Sequence, residues 1–269
     1  MNETPVNTQT PVLEMRGVAV VSLKNPSAVV AEGVNWTVKP GEFWVVGSPQ
    51  HSGKTDFLMV VGGLSSPAGG AYSFLGEPMP IFEEPRLVHR LKLGFVFDGG
   101  QLLGQLTVAE NIALPLRYHG RLSADEIESR VRELLEITEL LPWANSTPAN
   151  AGRSWQQRAG LARALALQPE VLLLDSPLTG LDGRHTTWWL GFLDQLSRGH
   201  KIVGGKPVTL VVTADDLRPW RRHAGRVACL SNGRLMVLGD WRAAEVSKER
   251  VIQELLGEST PAIDRSGVI

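Results

Sequence analysis

The sequence predicts an α/β fold built on a parallel sheet, and two observations carry that prediction. In the last third of the 269-residue chain, short apolar strands alternate with helical stretches. Val171–Asp175 is almost continuously apolar, as strands buried on both faces are. Earlier, a strand runs into a loop ending Gly53-Lys54-Thr55, and a helix follows.

The first 90 residues are strand-rich with turn punctuation. Val18–Leu23 and Val34–Val38 are rich in β-branched residues, and Lys39-Pro40-Gly41 makes a turn. Phe43–Gly47 is a short apolar strand leading into the glycine-bearing loop, and Thr55–Val61 reads as a helix. Ala71–Leu75 is a strand set between Gly69-Gly70 and Gly76. The middle is helical. Ser123 with Glu126 three residues on has the form of a capping box. Ile127, Val131, Leu134, Leu135 and Thr138 then follow helical spacing, a stripe that reads as core packing. Gln156–Leu167 and Arg184–Leu196 read as helices and Val208–Thr213 as a buried strand. Val227–Leu230 and Leu235–Leu238 flank Asn232-Gly233, a hairpin signal. No internal repeat or low-complexity segment interrupts the pattern.

The composition is that of a soluble globular protein, 43% hydrophobic and 20% charged. A net charge of −1 gives no basic balance for nucleic acid. One cysteine, Cys229, excludes an internal disulfide framework, fits a reducing compartment and is expected in the core. No apolar run approaches the roughly 20 residues needed to span a bilayer. The polar start, Met1–Pro11, lacks the pattern of a signal peptide. Residues 1–11 and 257–269 read as loose tails, and any membrane association is expected to run through a partner.

A strand, a loop ending Gly-Lys-Thr and a helix form the phosphate-loop arrangement. Backbone N–H groups and a helix N-terminus offer donors and partial positive charge to phosphate oxygens. Lys54 would reach the terminal phosphates and the Thr55 hydroxyl would sit on Mg²⁺. Asp175 ends a buried strand; it either helps hold Mg²⁺ or caps the following turn.

Further stretches fall in a telling order. Lys39-Pro40-Gly41-Glu42-Phe43 precedes the loop, and Gly94-Phe95-Val96-Phe97 precedes Leu106–Leu116. Gln156-Gln157-Arg158 and Leu161–Leu165 follow, then Leu172–Asp175, Thr179-Gly180-Leu181-Asp182 and Gly225-Arg226-Val227. Together these resemble the ATP-binding subunits of ABC transporters from about Val12 to Gly239, and Leu106–Leu116 looks most like importers of the lipid-asymmetry type. The resemblance implies a phosphate-loop nucleotide-binding domain with an N-terminal antiparallel β region. It implies a loose tail at 1–11, the ATP-binding domain at 12–240 with a helical subdomain about 99–168, and a C-terminal helix and tail at 241–269. It also implies ATP and Mg²⁺ as ligands, a membrane permease as partner, a homodimer or heterodimer of ATP-binding subunits, and a place on the cytoplasmic face of the membrane. The nucleotide-binding positions carried over are Ser48, His51, Ser52, Gly53, Lys54, Thr55 and Asp56, with Thr55 and Asp175 on the metal.

The departures from the family pattern fall on nucleotide-contacting motifs. Ser48 and His51 stand where the family has glycines, and His51 is a candidate for positive φ. Asp98 replaces a Gln that helps order Mg²⁺ and the attacking water; it is either a Mg²⁺ ligand or a solvated loop acid. The signature positions read Ala151-Gly152-Arg153-Ser154. Gly152 keeps backbone access, while Arg153 is either a phosphate-contacting cation or a plain loss. Ser176 replaces the Glu that polarises water, and Ala214 the switch histidine, with Asp215 and Asp216 beside it. The adenine-stacking aromatic falls at about Ser22. These replacements predict ATP binding with impaired hydrolysis. The alternatives are an active transport ATPase with non-consensus catalytic residues, and a non-hydrolysing structural or scaffold protein.

Overall fold

The computed structural model describes residues 10–79, 86–120 and 122–257. The loose ends expected at 1–11 and 257–269 lie almost wholly outside these residues. Two sheets organise the described residues. One has four antiparallel strands in the order β2-β1-β4-β5: β1 (Leu13–Val21), β2 (Val29–Val38), β4 (Gly69–Phe74) and β5 (Glu77–Pro78). The other has six strands in the order β10-β9-β3-β8-β7-β6. In it β3 (Phe43–Gly47), β6 (Leu93–Val96), β7 (Val171–Leu174), β8 (Thr209–Ala214) and β9 (Arg226–Ser231) run parallel, and β10 (Arg234–Gly239) closes the edge as an antiparallel hairpin. The parallel sheet is as the sequence predicts, and the antiparallel N-terminal region is as the resemblance implies.

The apolar runs follow from burial on both faces. Phe43, Val45, Leu172 and Leu174 point into one core, shared with the larger helices. Trp44, Val46, Val171 and Leu173 point into a second core, under the antiparallel sheet and α1 (Lys54–Val61). Every residue of β3 and of β7 is buried, so no polar alternation is available to them.

A short helix, α2 (Leu87–Arg90), precedes β6. Three helices follow it: α3 (Val108–His119), α4 (Ala124–Ile137) and α5 (Arg153–Leu165). Ser123 caps α4 in the expected box, and Thr107 with Glu110 does the same for α3, a second box the sequence reading did not single out. Val131, Leu134 and Leu135 are buried on α4, as the stripe requires. Helix α5 starts at Arg153, three residues before the predicted start, so Arg153 and Ser154 sit in its first turn. After β7 come α6 (Gly183–Arg198) and, beyond β10, α7 (Trp241–Glu245) and α8 (Arg250–Leu255). Cys229 is buried and free. Among the described residues no helix is long and apolar enough to cross a membrane.

Candidate functional site

The loop between β3 and α1 is fixed by its backbone. His51 has φ +62° and Gly53 φ +82°. At Gly53 a methyl group would lie 2.6 Å from Val30 Cγ2, so both conformation and space demand glycine there. Gly53 caps α1 without a side-chain bond, leaving the first-turn N–H groups of this eight-residue helix directed at the cleft. Ser48 turns its side chain beneath the loop. It is fully buried, its hydroxyl donates to Leu230 O at 2.9 Å, and it also contacts the Ser52 hydroxyl. Ser48 therefore braces the loop against β9 from beneath and does not line the cleft.

At the other wall, Asp175 follows β7 and is 2% exposed. Thr55 Oγ1 donates to its Oδ2 at 2.6 Å, and Thr213 Oγ1 donates to its Oδ1 at 2.8 Å. The neighbouring Ser176 is buried with φ +48°, and its N–H donates to Thr213 Oγ1 at 3.0 Å. Thr55 and Asp175 present two hard oxygen donors side by side. That set fits Mg²⁺, which in phosphate sites takes one or two protein oxygens and fills its octahedron from phosphate and water.

These walls enclose a cleft of about 610 Å³ lined by Lys54, Thr55, Asp56, Asp98, Asp175 and Ser176, with Ser22 at its rim. Asp56 accepts the Leu23 N–H at 3.4 Å. Beside it lies a smaller hollow of about 360 Å³ that Ala214, Asp215 and Asp216 help to line. Gln50 Nε2 donates to Asp215 at 3.3 Å. Asp216 is engaged by Arg218, whose side-chain bond at 2.7 Å is the main cause holding its carboxyl below the usual carboxylate range. Ala214 itself offers no side-chain donor.

Asp98 is not a free loop acid. It lines the cleft and pairs with Arg153 at 2.5 Å, so two positions read separately from the sequence meet in the fold. The loop they join is welded to α5. Gly99 and Gly100 have φ +68° and +81°. A side chain on Gly100 would strike Gln156 O at 2.2 Å, and Arg163 donates to Gly100 O at 2.8 Å and Gln101 O at 3.0 Å. Beyond the loop, buried Asn111 donates to Leu103 O, Leu106 O and Thr107 O, a staple the sequence reading missed. Ala151, Gly152 and Ser154 do not line the cleft of their own chain. Gly152 caps α5, and nothing lies within 4 Å of where its Cβ would be, so its backbone is open.

Two other features lie on the helical side. Arg158 has no exposed side-chain surface and sits 3.8 Å over Trp188 and 4.8 Å from Trp155. It donates to Glu139 at 2.7 Å and to His185 Nδ1 at 3.1 Å. An apolar groove of about 580 Å³ is lined by Phe95, Leu103, Leu114, Pro115, Tyr118 and Leu167, and Tyr118 is 82% exposed.

A family model described as ABC transporter matches residues 31–179. A methionine import ATP-binding protein of Clostridioides difficile (strain 630) is 30% identical over 247 residues, covering 90% of this chain and 75% of its own length. One from Pseudomonas entomophila (strain L48) is 33% identical over 204 residues, covering 76% of this chain but 59% of its own length. Among solved structures, the dimeric post-hydrolysis state of the ATP-binding cassette MJ0796 with ADP and Pi superposes with a TM-score of 0.73 at 30% identity, over 83% of this chain and 96% of that one. Cassette cbiO1 from Clostridium perfringens gives a TM-score of 0.73 at 21% identity, over 92% of this chain and 96% of that one, and speaks for the fold alone. The two import proteins are named for methionine rather than lipid traffic.

Proposed function

From the premise that this chain belongs to the ABC transporter ATP-binding family, we propose that it binds Mg²⁺–ATP in the cleft between α1 and β7 and cleaves it slowly. The observation that carries this reading is the convergence of Lys54, Thr55 and Asp175 on one cleft at the N-terminus of α1. There the first-turn N–H groups and Lys54 meet the phosphates, and Thr55 with Asp175 holds the cation. The cation, when bound, screens phosphate charge; the rest falls to the chain's own groups.

Slow cleavage follows from what stands beside the phosphates. Ser176 cannot take a proton from water at neutral pH, and its hydroxyl faces Asp175 and Thr213 at 3.4 and 3.5 Å. Loss of a general base removes about 10²–10⁴-fold in rate, roughly 3–5 kcal/mol of barrier. Ala214 supplies no further donor, and Arg153 is spent on Asp98.

The cellular role we propose is the ATP-binding subunit of an importer, after the relatives' names, docked on a membrane permease and paired with a second such subunit. The apolar groove beside Tyr118 fits a short helix of that permease. Equilibrium ATP binding with and without Mg²⁺, followed by turnover on the same sample, tests the reading. Binding lost in Lys54→Ala with little turnover in the parent is the expected result. Brisk cleavage abolished by Lys54→Ala overturns the slow-hydrolysis part, and no binding in the parent overturns all of it.

A further inference from the structure

Thr213 has no role in the reading above, yet its hydroxyl holds a fixed place in the metal corner. It sits in the last turn-facing stretch of β8 with no solvent exposure. A hydroxyl has one proton and two lone pairs. The Ser176 N–H occupies its acceptor side at 3.0 Å, and the proton goes to Asp175 Oδ1 at 2.8 Å. The second carboxylate oxygen, Oδ2, then faces Thr55 Oγ1 at 2.6 Å. Each oxygen of Asp175 is thus met by a threonine from a different element, one on the central sheet and one on α1. The Ser176 hydroxyl lies 3.4 Å from Oδ1 and is too distant to take over the bond to Thr213's standard.

Resting on the Mg²⁺ reading of this cleft, we propose that Thr213 is a positioning residue for the divalent cation. It takes Oδ1 out of play, sets the plane of the Asp175 carboxylate, and so presents Oδ2 beside the Thr55 oxygen as a paired donor set. The same hydroxyl fixes the left-handed backbone of Ser176, which keeps the turn after β7 in register with β8. Outer-shell partners of this kind change metal affinity by about 10–100-fold when removed. Neither partner of the metal is altered by such a change, so the effect is confined to the part of nucleotide binding that depends on the cation.

The test measures ATP affinity of the full chain in EDTA and across a Mg²⁺ titration, for the parent, Thr213→Val and Thr213→Ser. In Thr213→Val the EDTA affinity stays within about twofold of the parent while the apparent Mg²⁺ affinity falls about tenfold or more. Thr213→Ser, which keeps the hydroxyl, restores the parent's Mg²⁺ affinity. A purely structural role for Thr213 would lower both affinities together. The proposal is overturned if Thr213→Val keeps the parent's Mg²⁺ response, or if Thr213→Ser loses it equally. A parent that binds ATP without any Mg²⁺ response overturns the metal reading itself, and this proposal with it. Should Thr213→Val not fold, Thr213→Ala takes its place with the same expectations.

Discussion

Gly53→Ala tests the backbone of the phosphate loop directly. Two separate costs act at this position. At φ +82° an alanine bears left-handed strain of about 1–2 kcal/mol. Its methyl would also lie 2.6 and 2.8 Å from the two γ-carbons of Val30. Rotating Val30 about χ1 exchanges those methyls without clearing the space, and Val30 is itself buried in β2, so the strand must shift. Such overpacking costs about 1–3 kcal/mol. The unfolded chain loses freedom on Gly→Ala, which offsets about 0.4–1 kcal/mol. The net destabilisation is roughly 1–5 kcal/mol, centred near 3. Gly33→Ala is the internal control: φ is +60° but nothing lies within 4 Å of the new methyl. That variant shows the strain alone, about 1 kcal/mol after the same offset. Urea unfolding of the two variants, with Val30→Ala added to each in a double-mutant cycle, separates the contributions. A Gly53→Ala cost no larger than that of Gly33→Ala, or no coupling to Val30, refutes the packing argument.

Two further outcomes are expected. Burial, and then the charge of Arg158, hold the His185 imidazole below its usual range, and Arg158 donates to Nδ1, so the folded ring is neutral. Above about pH 6.5 this costs nothing. As pH falls through that value the unfolded chain takes up the proton first, and stability declines until the folded ring titrates too. His200 is lowered in the same direction by burial, so the check is a smaller loss between about pH 6.5 and 5 in His185→Gln than in the parent, with His200 kept in both. For the exposed Asp98–Arg153 pair, Arg153→Ala changes unfolding free energy by no more than about 1 kcal/mol. It weakens ATP binding nonetheless, and adding Asp98→Asn restores it; calorimetric titration of the single and double variants decides this.

The fold was largely legible because its signals are local. Apolar runs marked β7 and β8, Asn232-Gly233 marked the β9–β10 hairpin, and Ser123 marked the start of α4. The chain order of Lys54, Thr55 and Asp175 placed the cleft. What sequence could not supply was partnership across long separations. Asp98 and Arg153 are 55 positions apart and Ser176 and Thr213 are 37 apart, and no periodicity links them. The side-chain partner of Ser48 is hidden for the same reason: its hydroxyl donates to Leu230 O, 182 positions away on β9. Asn111 carried a visible hint, since it follows a Thr107–Glu110 capping box at a helix start where a buried amide needs partners.

The charges around the cleft join these observations into one requirement. Two lysines, Lys24 and Lys54, and four aspartates, Asp56, Asp98, Asp175 and Asp215, line it. A triphosphate entering such a site meets more carboxylate than ammonium. Like charges 4 Å apart repel by about 4 kcal/mol at an effective dielectric near 20, so each carboxylate left without a cation opposes the nucleotide. Arg153 answers the charge of Asp98 at 2.5 Å, whereas the Leu23 N–H at Asp56 and the Gln50 amide at Asp215 are neutral donors that leave the charge in place. Asp175 likewise receives only neutral hydroxyls, from Thr55 and Thr213, but it alone of these acids is buried with the Thr55 oxygen beside it. Its charge therefore remains for a divalent cation to meet. On this account the changes at Asp98 and Arg153 are one change, not two. The acid alone would oppose the nucleotide, and the cation paired with it keeps the cleft open to phosphate.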